Sequence, residues 1–317
     1  MLDSFGRNIT YMRISVTDQC NMRCRYCMPE KDVCEKTPKE LLSEEETVTA
    51  IRAAASLGIT KLRFTGGEPL MKKNILPLCR EVSAIPGIRE VCVTTNGTML
   101  PALAKPLRDA GVSRVNISLD TLDALRFRSI TRGGDLFRTV DGIRAALRAG
   151  FEKIKLNTVL IGGFNDDEIP ALAELTRRYP LDLRFIELMP MLEGHDFGPE
   201  AFLPCSLVLE RLPELIPVEP DGGVARLYRL PGGMGRVGLI SPLSDNFCAD
   251  CSRIRLMADG KLKPCLHAAD EYSLKGLDYD GMLEVLRKAI LCKPSWHGTL
   301  DAENRSRAGR TMNQIGG

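Results

Sequence analysis

The first 190 residues alternate short apolar runs with longer helical segments, a pattern that predicts β/α units around a parallel sheet. Ser43 and Glu46 form a capping-box motif at the start of the first helix, and Gly58 marks its end. Gly111 and Gly150 mark the ends of later helices in the same way. We therefore expect six strands, at residues 11–16, 61–65, 90–94, 114–119, 153–161 and 182–188.

Polar and apolar side chains alternate along these strands, whereas Val, Ile and Leu fill the inward positions of a closed eight-stranded barrel. A sheet with one solvated face would give the same alternation in a single strand, but six parallel strands flanked by helices have both faces covered. We predict an α/β fold, an incomplete (β/α)6 TIM-type barrel, with one polar face that lines a cavity. The polar positions are Arg13, Ser15, Lys61, Arg63, Thr65, Asn116, Ser118, Lys153, Lys155, Asn157, Asp182 and Arg184.

The composition changes after residue 190, where Pro and Gly become frequent. We predict that residues 1–190 form the partial barrel and that residues 191–317 form a C-terminal α+β extension. In the extension, PCSLVLERLPEL is typical of a short helix, ARLYRL and RVGLIS of strands, RIRLM and KLKPC of a two-strand unit, and residues 282–291 of a helix. A basic segment ends the chain.

Composition and charge narrow the class of protein. Of the 317 residues, 44% are hydrophobic, and 43 basic against 41 acidic residues leave a net charge of +2, so general binding to nucleic acid is not indicated. No apolar run is long enough for a signal peptide or a membrane span, and we expect a cytoplasmic protein. Eleven cysteines in a reducing compartment indicate metal ligation or redox chemistry, because thiols there stay free.

The first cysteine group, Cys20, Cys24 and Cys27, follows directly on the first predicted strand. Three thiolates cannot complete a four-iron cube, which takes four ligands, so one iron would stay open. An open coordination position is what makes a metal centre catalytic rather than structural. A zinc ion is the alternative to the cluster. Zinc normally takes four protein ligands, however, and no further Cys or His lies nearby.

The CxxxCxxC spacing with Tyr26 before its last cysteine, and the sequence GGEP at residues 66–69, resemble the radical S-adenosylmethionine superfamily. The resemblance implies a 4Fe-4S cluster whose open iron is chelated by the amino and carboxylate groups of S-adenosylmethionine. The cofactor would then yield a 5'-deoxyadenosyl radical, and the protein would position it. By the same resemblance, S-adenosylmethionine contacts Tyr26, Gly67, Ser118 and Met189.

The second cysteine group, Cys248, Cys251 and Cys265, again offers three ligands. His267 could complete a zinc ribbon, and the spacing alone leaves zinc and an iron-sulfur cluster both open. Arg253 lies two residues after the second of these cysteines and begins an alternating strand-like run.

The stretch LISPLSDNFCADCSRIRLMADGKLKPCLH closely resembles the molybdenum-cofactor biosynthesis protein A family, the GTP 3',8-cyclases. The segments DLFRTVDGI, LNTVLIGGFNDDEI, LRFIELMP and TMNQIGG also match, whereas residues 190–245 match least. The resemblance implies a second 4Fe-4S cluster whose open iron holds the purine. It places the GTP contacts on Arg13, Lys61, Arg63, Thr94, Lys155, Arg184, Arg253, Ile254 and Arg255.

Basic side chains on buried strands agree with this implication, because their desolvation is costly without an anionic ligand. No P-loop motif is present to bind phosphate instead. The family's C-terminal glycine pair, here Gly316 and Gly317, is expected to reach the active site, and Arg305, Arg307 and Arg310 would then lie near the phosphates. A frayed terminus is the alternative for the tail.

The reaction that the resemblance implies is a lyase reaction, the conversion of GTP to (8S)-3',8-cyclo-7,8-dihydroguanosine 5'-triphosphate. It is the first step of molybdenum cofactor (molybdopterin) biosynthesis, and cyclic pyranopterin monophosphate synthase acts on the product. The residues expected to be catalytic are Cys20, Cys24, Cys27, Arg253, Arg255, Gly316 and Gly317. Flavodoxin or ferredoxin is the expected electron donor, and a homodimer is the expected assembly.

Two other functions fit parts of the sequence. One is a different radical S-adenosylmethionine enzyme with an auxiliary cluster, such as a peptide-modifying enzyme, and the other is a zinc-stabilised nucleotide-binding protein without catalysis. His195 and Asp196 have no assigned role. The remaining cysteines are predicted to be small buried apolar residues: Cys34, Cys79, Cys92, Cys205 and Cys292.

Overall fold

The computed structural model describes residues 1–30, 36–37, 39–191, 196–301 and 303–316. Twelve strands of the described residues form one continuous sheet. They are β1 (Tyr11–Ser15), β2 (Lys61–Thr65), β3 (Glu90–Thr95), β4 (Arg114–Ser118), β5 (Lys153–Leu160), β6 (Asp182–Glu187), β7 (Ile216–Pro217), β8 (Arg226–Arg229), β9 (Val237–Ile240), β10 (Arg253–Leu256), β11 (Lys261–Lys263) and β12 (Tyr272–Ser273). Their order in the sheet is β12-β11-β10-β1-β2-β3-β4-β5-β6-β9-β8-β7.

The described residues also form nine α-helices, most of which cover the outer face of the sheet. These are α1 (Glu44–Ser56), α2 (Ile75–Ser83), α3 (Leu100–Asp109), α4 (Ala124–Ile130), α5 (Leu136–Ala149), α6 (Ile169–Arg178), α7 (Ser206–Arg211), α8 (Tyr279–Leu291) and α9 (Met312–Ile315). None of the helices within the described ranges has the length and apolar character needed to cross a membrane.

The six predicted strands are confirmed, each with ends within one residue of the expected ones, and β1 to β6 lie side by side in chain order, all parallel. The predicted capping box is also present. Ser43 Oγ accepts a hydrogen bond from Glu46 N at 3.0 Å, and the Glu46 carboxylate accepts one from Ser43 N at 2.8 Å. The ends of α1, α3 and α5 are followed by Gly58, Gly111 and Gly150, all at positive φ.

The C-terminal extension joins the sheet at both of its edges, which the sequence pattern did not predict. Strand β9 pairs with β6 and β10 pairs with β1, both in parallel, so the parallel part has eight strands rather than six. The exposed edges of a six-stranded sheet would leave unpaired N–H and C=O groups, and these strands satisfy them. The domain boundary at residue 190 stays a prediction, and the sheet runs across it.

The two faces of the sheet differ as the alternation predicted. Met12, Ile14, Leu62 and Phe64 are at most 1% exposed and pack among the outer helices. The opposite face carries the basic and hydroxyl side chains described below.

The predictions for the remaining cysteines are confirmed at Cys79, Cys92 and Cys205, which are buried. The prediction is wrong for Cys292, which is exposed because it follows the last residue of α8, where the helix end meets solvent. Cys34 lies outside the described residues. All described cysteines are free thiols.

Candidate active site

The first cysteine group lies in the loop after β1, at the C-terminal end of the parallel strands. The connection after α4 holds this loop in place, because Arg23 N donates to Thr131 O at 3.0 Å and Arg25 N donates to Ile130 O at 2.9 Å. Within the loop, Cys27 N donates to Cys24 O at 2.9 Å, which turns the chain so that the cysteines face inward.

The three thiols of this loop are close enough to influence one another. Burial raises the pKa of Cys20 to about 11 and that of Cys27 to about 12, and it raises the pKa of Cys24 well above its usual value. Cys27 and Cys20 raise the pKa of Cys24 further through like charge. Backbone N–H groups of Met22 and Asn313 donate to the sulfurs of Cys20 and Cys27. Three thiols on one loop, two of which accept backbone N–H groups, have the number and chemistry of the ligands of an iron-sulfur cluster, whose positive charge would favour their thiolate form.

The glycines of the GGEP sequence lie against the backbone of the cysteine loop. Gly67 N donates to Thr17 O at 2.8 Å, and Glu68 N donates to Gln19 O at 2.7 Å. A Cβ atom would lie 2.2 Å from Thr17 O at Gly66 and 2.1 Å from Gln19 O at Gly67. The packing of the two loops therefore requires both glycines, whatever ligand approaches them.

Two buried carboxylates next to these loops were not found by sequence reasoning. Glu68 accepts hydrogen bonds from Thr95 Oγ1 and Asn96 N, each at 2.7 Å, and burial raises its pKa to about 7. Asp120 accepts a 2.8 Å hydrogen bond from Tyr26 Oη, and burial raises its pKa to about 6. Glu68 stood within the recognised GGEP sequence, whereas nothing local in the sequence marked Asp120.

The four predicted contacts of S-adenosylmethionine all lie at the C-terminal end of the parallel strands. Tyr26 lies in the loop after β1 and Gly67 in the loop after β2, Ser118 ends β4, and Met189 follows β6. Met189 also lines an apolar cavity of about 400 Å³ together with Phe197. The structure thus brings these four residues to the same rim as the first cysteine group.

Arginines from three neighbouring strands lie side by side on the polar face. Arg13 on β1 is the register partner of Arg255 on β10 and of Arg63 on β2. Two residues earlier on the same face, Tyr11 is the partner of Arg253 and Lys61. Like charges at adjacent positions repel one another, so this row is electrostatically unfavourable unless groups of opposite charge offset it.

The pKa values of Arg13 and Arg255 reflect this repulsion, whereas Tyr11, Cys92 and Glu90 raise the pKa of Arg63 above its usual value against the effect of burial. Burial and the charges of Arg255, Arg63 and Arg253 lower the pKa of Arg13 well below its usual value. Burial and Arg253 lower the pKa of Arg255 to about 10. A group of mutually repelling, buried cations is a strong binding site for a polyanion, because an anionic ligand relieves both the repulsion and the desolvation.

Tyr11 organises the basic row and was missed by sequence reasoning. Its hydroxyl accepts a hydrogen bond from Arg63 Nε, and Arg63 Nη1 donates to Thr94 Oγ1 at 3.3 Å. Lys61 Nζ lies 5.1 Å and Arg253 Cζ 5.9 Å from the centre of the Tyr11 ring. The ring thus holds three cations by hydrogen bonding and cation–π contact. The only sequence signal for Tyr11 was its position two residues before Arg13, which places both side chains on the same face of β1.

The predicted GTP residues differ in how far other groups neutralise them. Lys61 Nζ forms a 2.7 Å ion pair with Glu90, so its charge is largely offset. Lys155 and Arg184 lie on the far side of the face, near Asp221 and Asp182. Among the described residues, Arg184 Nη1 has no hydrogen-bond partner although it is buried, which leaves it a donor for a ligand.

The second cysteine group lies at the opposite end of the same sheet. Cys248 and Cys251 precede β10, which is parallel to β1, so they are at the N-terminal end of the strands. Strand β11 is antiparallel to β10 and returns the chain to that end, where Cys265 follows it. The arginine row therefore lies between the two cysteine groups.

A buried lysine braces the second cysteine group. Lys293 Nζ donates to Arg253 O at 3.0 Å and to Pro264 O at 2.8 Å. Burial opposes ionisation of Cys251, yet Lys293 and Arg253 together lower the pKa of its thiol. Arg7 Nη1 also donates to Cys248 O at 2.9 Å. Cationic groups that favour the thiolate of Cys251 fit a cluster ligand there, whereas burial raises the pKa of Cys248.

His267, the proposed fourth ligand of a zinc ribbon, has another partner. Its Nδ1 lies 2.9 Å from Ser306 Oγ, and burial, with His297 and Arg255 nearby, lowers its pKa to about 3. Across the described ranges, no group of three His, Cys, Asp or Glu side chains is arranged to hold a single metal ion.

The described part of the C-terminal tail contacts the elements of both cysteine groups. Met312 N donates to Cys27 O at 3.1 Å, and Gly316 O accepts a 2.7 Å hydrogen bond from Arg255 Nη1. Gly316 has φ of +77°, and a Cβ atom there would lie 2.2 Å from Thr65 Oγ1, so glycine is required. Gly317 lies outside the described residues, as does His195.

Two of the three tail arginines have neighbours that the sequence did not indicate, and their expected place near the phosphates stays a prediction. Arg310 donates to Glu271 at 2.6 Å and to Asp259 at 2.8 Å, so these carboxylates neutralise its charge. They also hold the tail against the connections that flank β11. Arg305 lines the cavity beside Met189. Asp196, which had no assigned role, pairs with Arg132 at 2.7 Å.

Comparisons with known proteins place this site in a family. Residues 14–176 match the family model "Radical SAM superfamily", and residues 181–298 match "Molybdenum Cofactor Synthesis C". A GTP 3',8-cyclase of Alkaliphilus oremlandii (strain OhILAs) is 47% identical over 323 residues, and one of Moorella thermoacetica (strain ATCC 39073 / JCM 9320) is 47% identical over 327 residues. Both alignments cover 100% of each chain. The chain belongs to the GTP 3',8-cyclase family.

Solved structures similar to this member of the GTP 3',8-cyclase family have the same fold. Streptococcus suis SuiB bound to S-adenosylmethionine is 14% identical, with a TM-score of 0.62 over 89% of this chain and 66% of that chain. The protein anSMEcpe with bound AdoMet is also 14% identical, with a TM-score of 0.57 over 88% of this chain and 81% of that chain. At this identity, the likeness concerns the fold.

Replacing one cysteine in each group should remove one cluster at a time. We expect Cys24→Ser and Cys251→Ser each to lower the iron and sulfide content of anaerobically reconstituted protein by about half, because three thiolates hold each cluster. Cys79→Ser, a substitution of a buried cysteine outside both groups, should leave the content unchanged. Iron and acid-labile sulfide analysis measures this, and an unchanged content in Cys251→Ser would show that the second group holds no cluster.

Proposed function

We propose that this chain is a GTP 3',8-cyclase, a lyase that converts GTP to (8S)-3',8-cyclo-7,8-dihydroguanosine 5'-triphosphate in the first step of molybdenum cofactor biosynthesis. Its cofactors are 4Fe-4S clusters and S-adenosylmethionine. The observation that carries the proposal is the row of repelling arginines on the polar face of the sheet, between two cysteine groups at opposite ends of the strands. Such a site suits a ligand with a strongly anionic part that must be held at both ends.

The cysteine groups would hold the two clusters. Cys20, Cys24 and Cys27 would bind the first, and Tyr26, Gly67, Ser118 and Met189 would hold S-adenosylmethionine beside it. When bound, these cofactors would supply radical chemistry directed at the ribose, once the cluster has received an electron from a donor. Cys248, Cys251 and Cys265 would bind the second cluster, with the guanine at its open iron.

The basic face would bind and orient the triphosphate. A nucleoside triphosphate carries about four negative charges, and guanidinium groups bind phosphate oxygens in a bidentate manner. The residues proposed for this role are Arg13, Lys61, Arg63, Thr94, Lys155, Arg184, Arg253, Ile254 and Arg255. Because the strands fix their backbones, the ribose would be held in one position between the two ends of the cavity.

The tail would complete the cavity wall. Gly316 reaches Arg255 through its backbone carbonyl, and α9 rests on the first cysteine loop. A segment without side chains can lie beside a substrate and exclude water. We propose that Gly316 and Gly317 belong to the active site for this reason.

The remaining parts of the proposal concern partners and location. The electron donor would be flavodoxin or ferredoxin, the product would pass to cyclic pyranopterin monophosphate synthase, and the assembly would be a homodimer. Free thiols at all described cysteines agree with a reducing compartment, and we propose a cytoplasmic location.

The function is tested by anaerobic reconstitution and incubation with GTP, S-adenosylmethionine and a reductant. We expect 5'-deoxyadenosine to form only when GTP is present, together with a cyclised nucleotide detected by mass spectrometry. Cys24→Ser should form neither. Formation of 5'-deoxyadenosine without GTP dependence would instead indicate another radical S-adenosylmethionine reaction, and zinc without iron would indicate a binding protein.

Binding of GTP should weaken as the pH rises through about 8. Burial, and then the positive charge of Arg184, lower the pKa of Lys155 to about 8, and Arg63 contributes less. The negative charges of Asp221 and Asp182 act in the opposite direction. Above this pH the lysine becomes neutral, and the site loses one cation, so affinity should fall by up to about tenfold per pH unit. The dissociation constant for GTP between pH 7 and 9.5 measures this. Lys155→Arg should abolish the fall, and a fall of the same size in that variant would assign it to another group.

Substitution of Gly316 should impair the reaction without unfolding the protein. In Gly316→Ala the Cβ atom meets Thr65 Oγ1 and the backbone is strained, so the carbonyl should leave Arg255. We expect GTP-dependent formation of 5'-deoxyadenosine to fall by about tenfold or more, with an unchanged melting temperature. The matched control is Gly309→Ala, also at positive φ but with open space around it. Equal activity of the two variants would contradict a role for the tail.

A further inference from the structure

Asp221 lies in the turn between β7 and β8, and its carboxylate reaches the basic face of the barrel. Its Oδ2 atom is 3.2 Å from Arg236, 3.4 Å from Lys155, 3.7 Å from Arg184 and 3.9 Å from Lys153. Two of these cations, Lys155 and Arg184, belong to the proposed GTP site. A single carboxylate from a surface turn therefore stands where an anionic ligand is expected.

The neighbouring carboxylate, Asp182, is bound quite differently. Arg236 Nε donates to Asp182 Oδ1 at 3.0 Å, and Arg236 Nη2 donates to Asp182 Oδ2 at 2.7 Å, which is a bidentate pair. Asp182 begins β6 and cannot leave the sheet. Asp221 makes only single, longer contacts, so it is the looser of the two counter-ions.

Charge balance explains why the free protein needs Asp221. In this part of the described structure, four cations, Lys153, Lys155, Arg184 and Arg236, face the two carboxylates of Asp182 and Asp221. Burial would raise the pKa of Asp221, but Lys155, Arg184 and Arg236 lower it well below its usual range, so the carboxylate is ionised. Without it, the buried cations would be left with a single partner.

The turn that carries Asp221 is built to move at low cost. Strand β7 has only two residues, both exposed, and Gly222 and Gly223 follow Asp221 directly. Gly222 adopts φ of +73°, and Asp221 Oδ1 accepts a 3.2 Å hydrogen bond from Gly223 N. Few buried contacts therefore hold the turn, and such segments open at small free-energy cost.

We propose that Asp221 is a removable counter-ion, which occupies the end of the basic face formed by Lys155 and Arg184 and is displaced there by the triphosphate of GTP. The proposal rests on the function proposed above. In the free protein Asp221 keeps Lys155 and Arg184 in place, and on binding the phosphates take over these cations, since a carboxylate left beside them would repel the ligand. Asp221 thus lowers the affinity for any ligand whose phosphates reach this end.

The test measures ligand binding to the anaerobically reconstituted protein and to two variants. Asp221→Asn removes the charge but keeps the acceptor for Gly223 N, and Glu219→Gln removes an exposed charge from the same turn. We expect Asp221→Asn to bind GTP about tenfold more tightly, from the loss of competing ion pairs of ordinary strength. Its affinity for guanosine, which has no phosphate, should be unchanged, and Glu219→Gln should match the parent protein with both ligands.

A second measurement uses the unaltered protein and does not depend on the folding of a variant. Amide hydrogen exchange across residues 219–225 should speed up when GTP is added, because the turn leaves the cations. Slower exchange in this segment, or equal or weaker GTP binding by Asp221→Asn, would overturn the inference. If the inference is overturned in this way while 5'-deoxyadenosine still forms only with GTP, the proposed function stands. If the unaltered protein binds no GTP, the inference and the proposed function are both wrong.

Discussion

The concentration of positive charge on the inner face of the barrel is the constraint on which the rest of the structure depends. Parallel register places Arg255, Arg13 and Arg63 next to one another, and burial makes their repulsion costly. The protein meets this cost with a tyrosine ring, a backbone carbonyl from the tail and two carboxylates at the N-terminal end of the strands. The tail carbonyl carries no net charge and Asp221 makes only single contacts, which leaves the site prepared for an anionic ligand.

The architecture assigns the two cysteine groups to opposite ends of this charged face. Catalytic loops of α/β barrels lie at the C-terminal end of the strands, and the first group follows that rule. The second group reaches the other end because β10 joins the sheet in parallel and β11 returns antiparallel. The extension thus adds β10 beside β1, and the tail runs from the loop of Cys27 to Arg255 on β10.

Much of the fold could be predicted because it depends on local patterns. Period-two alternation and helix-end signals located β1 to β6 and the cap at Ser43, and the same alternation located the polar face. Partners distant in sequence could not be predicted in this way. Asp120 beside Tyr26, Asp221 beside Lys155 and the exposed position of Cys292 depend on how loops pack, for which the chain carries no periodic signal.

The sequence by itself determined the chemistry of this protein, because cysteine spacing, the GGEP segment and the composition of the strands are properties of neighbouring residues. It also determined that basic side chains share one face of the sheet, since side chains alternate along any strand. Only the tertiary structure decided which positive charges are neutralised by a carboxylate, and which repel one another. Glu90 neutralises the charge of Lys61, whereas Arg13 lies among other arginines. Net electrostatic energy depends on distance and burial, and both arise only when segments far apart in the chain are packed together.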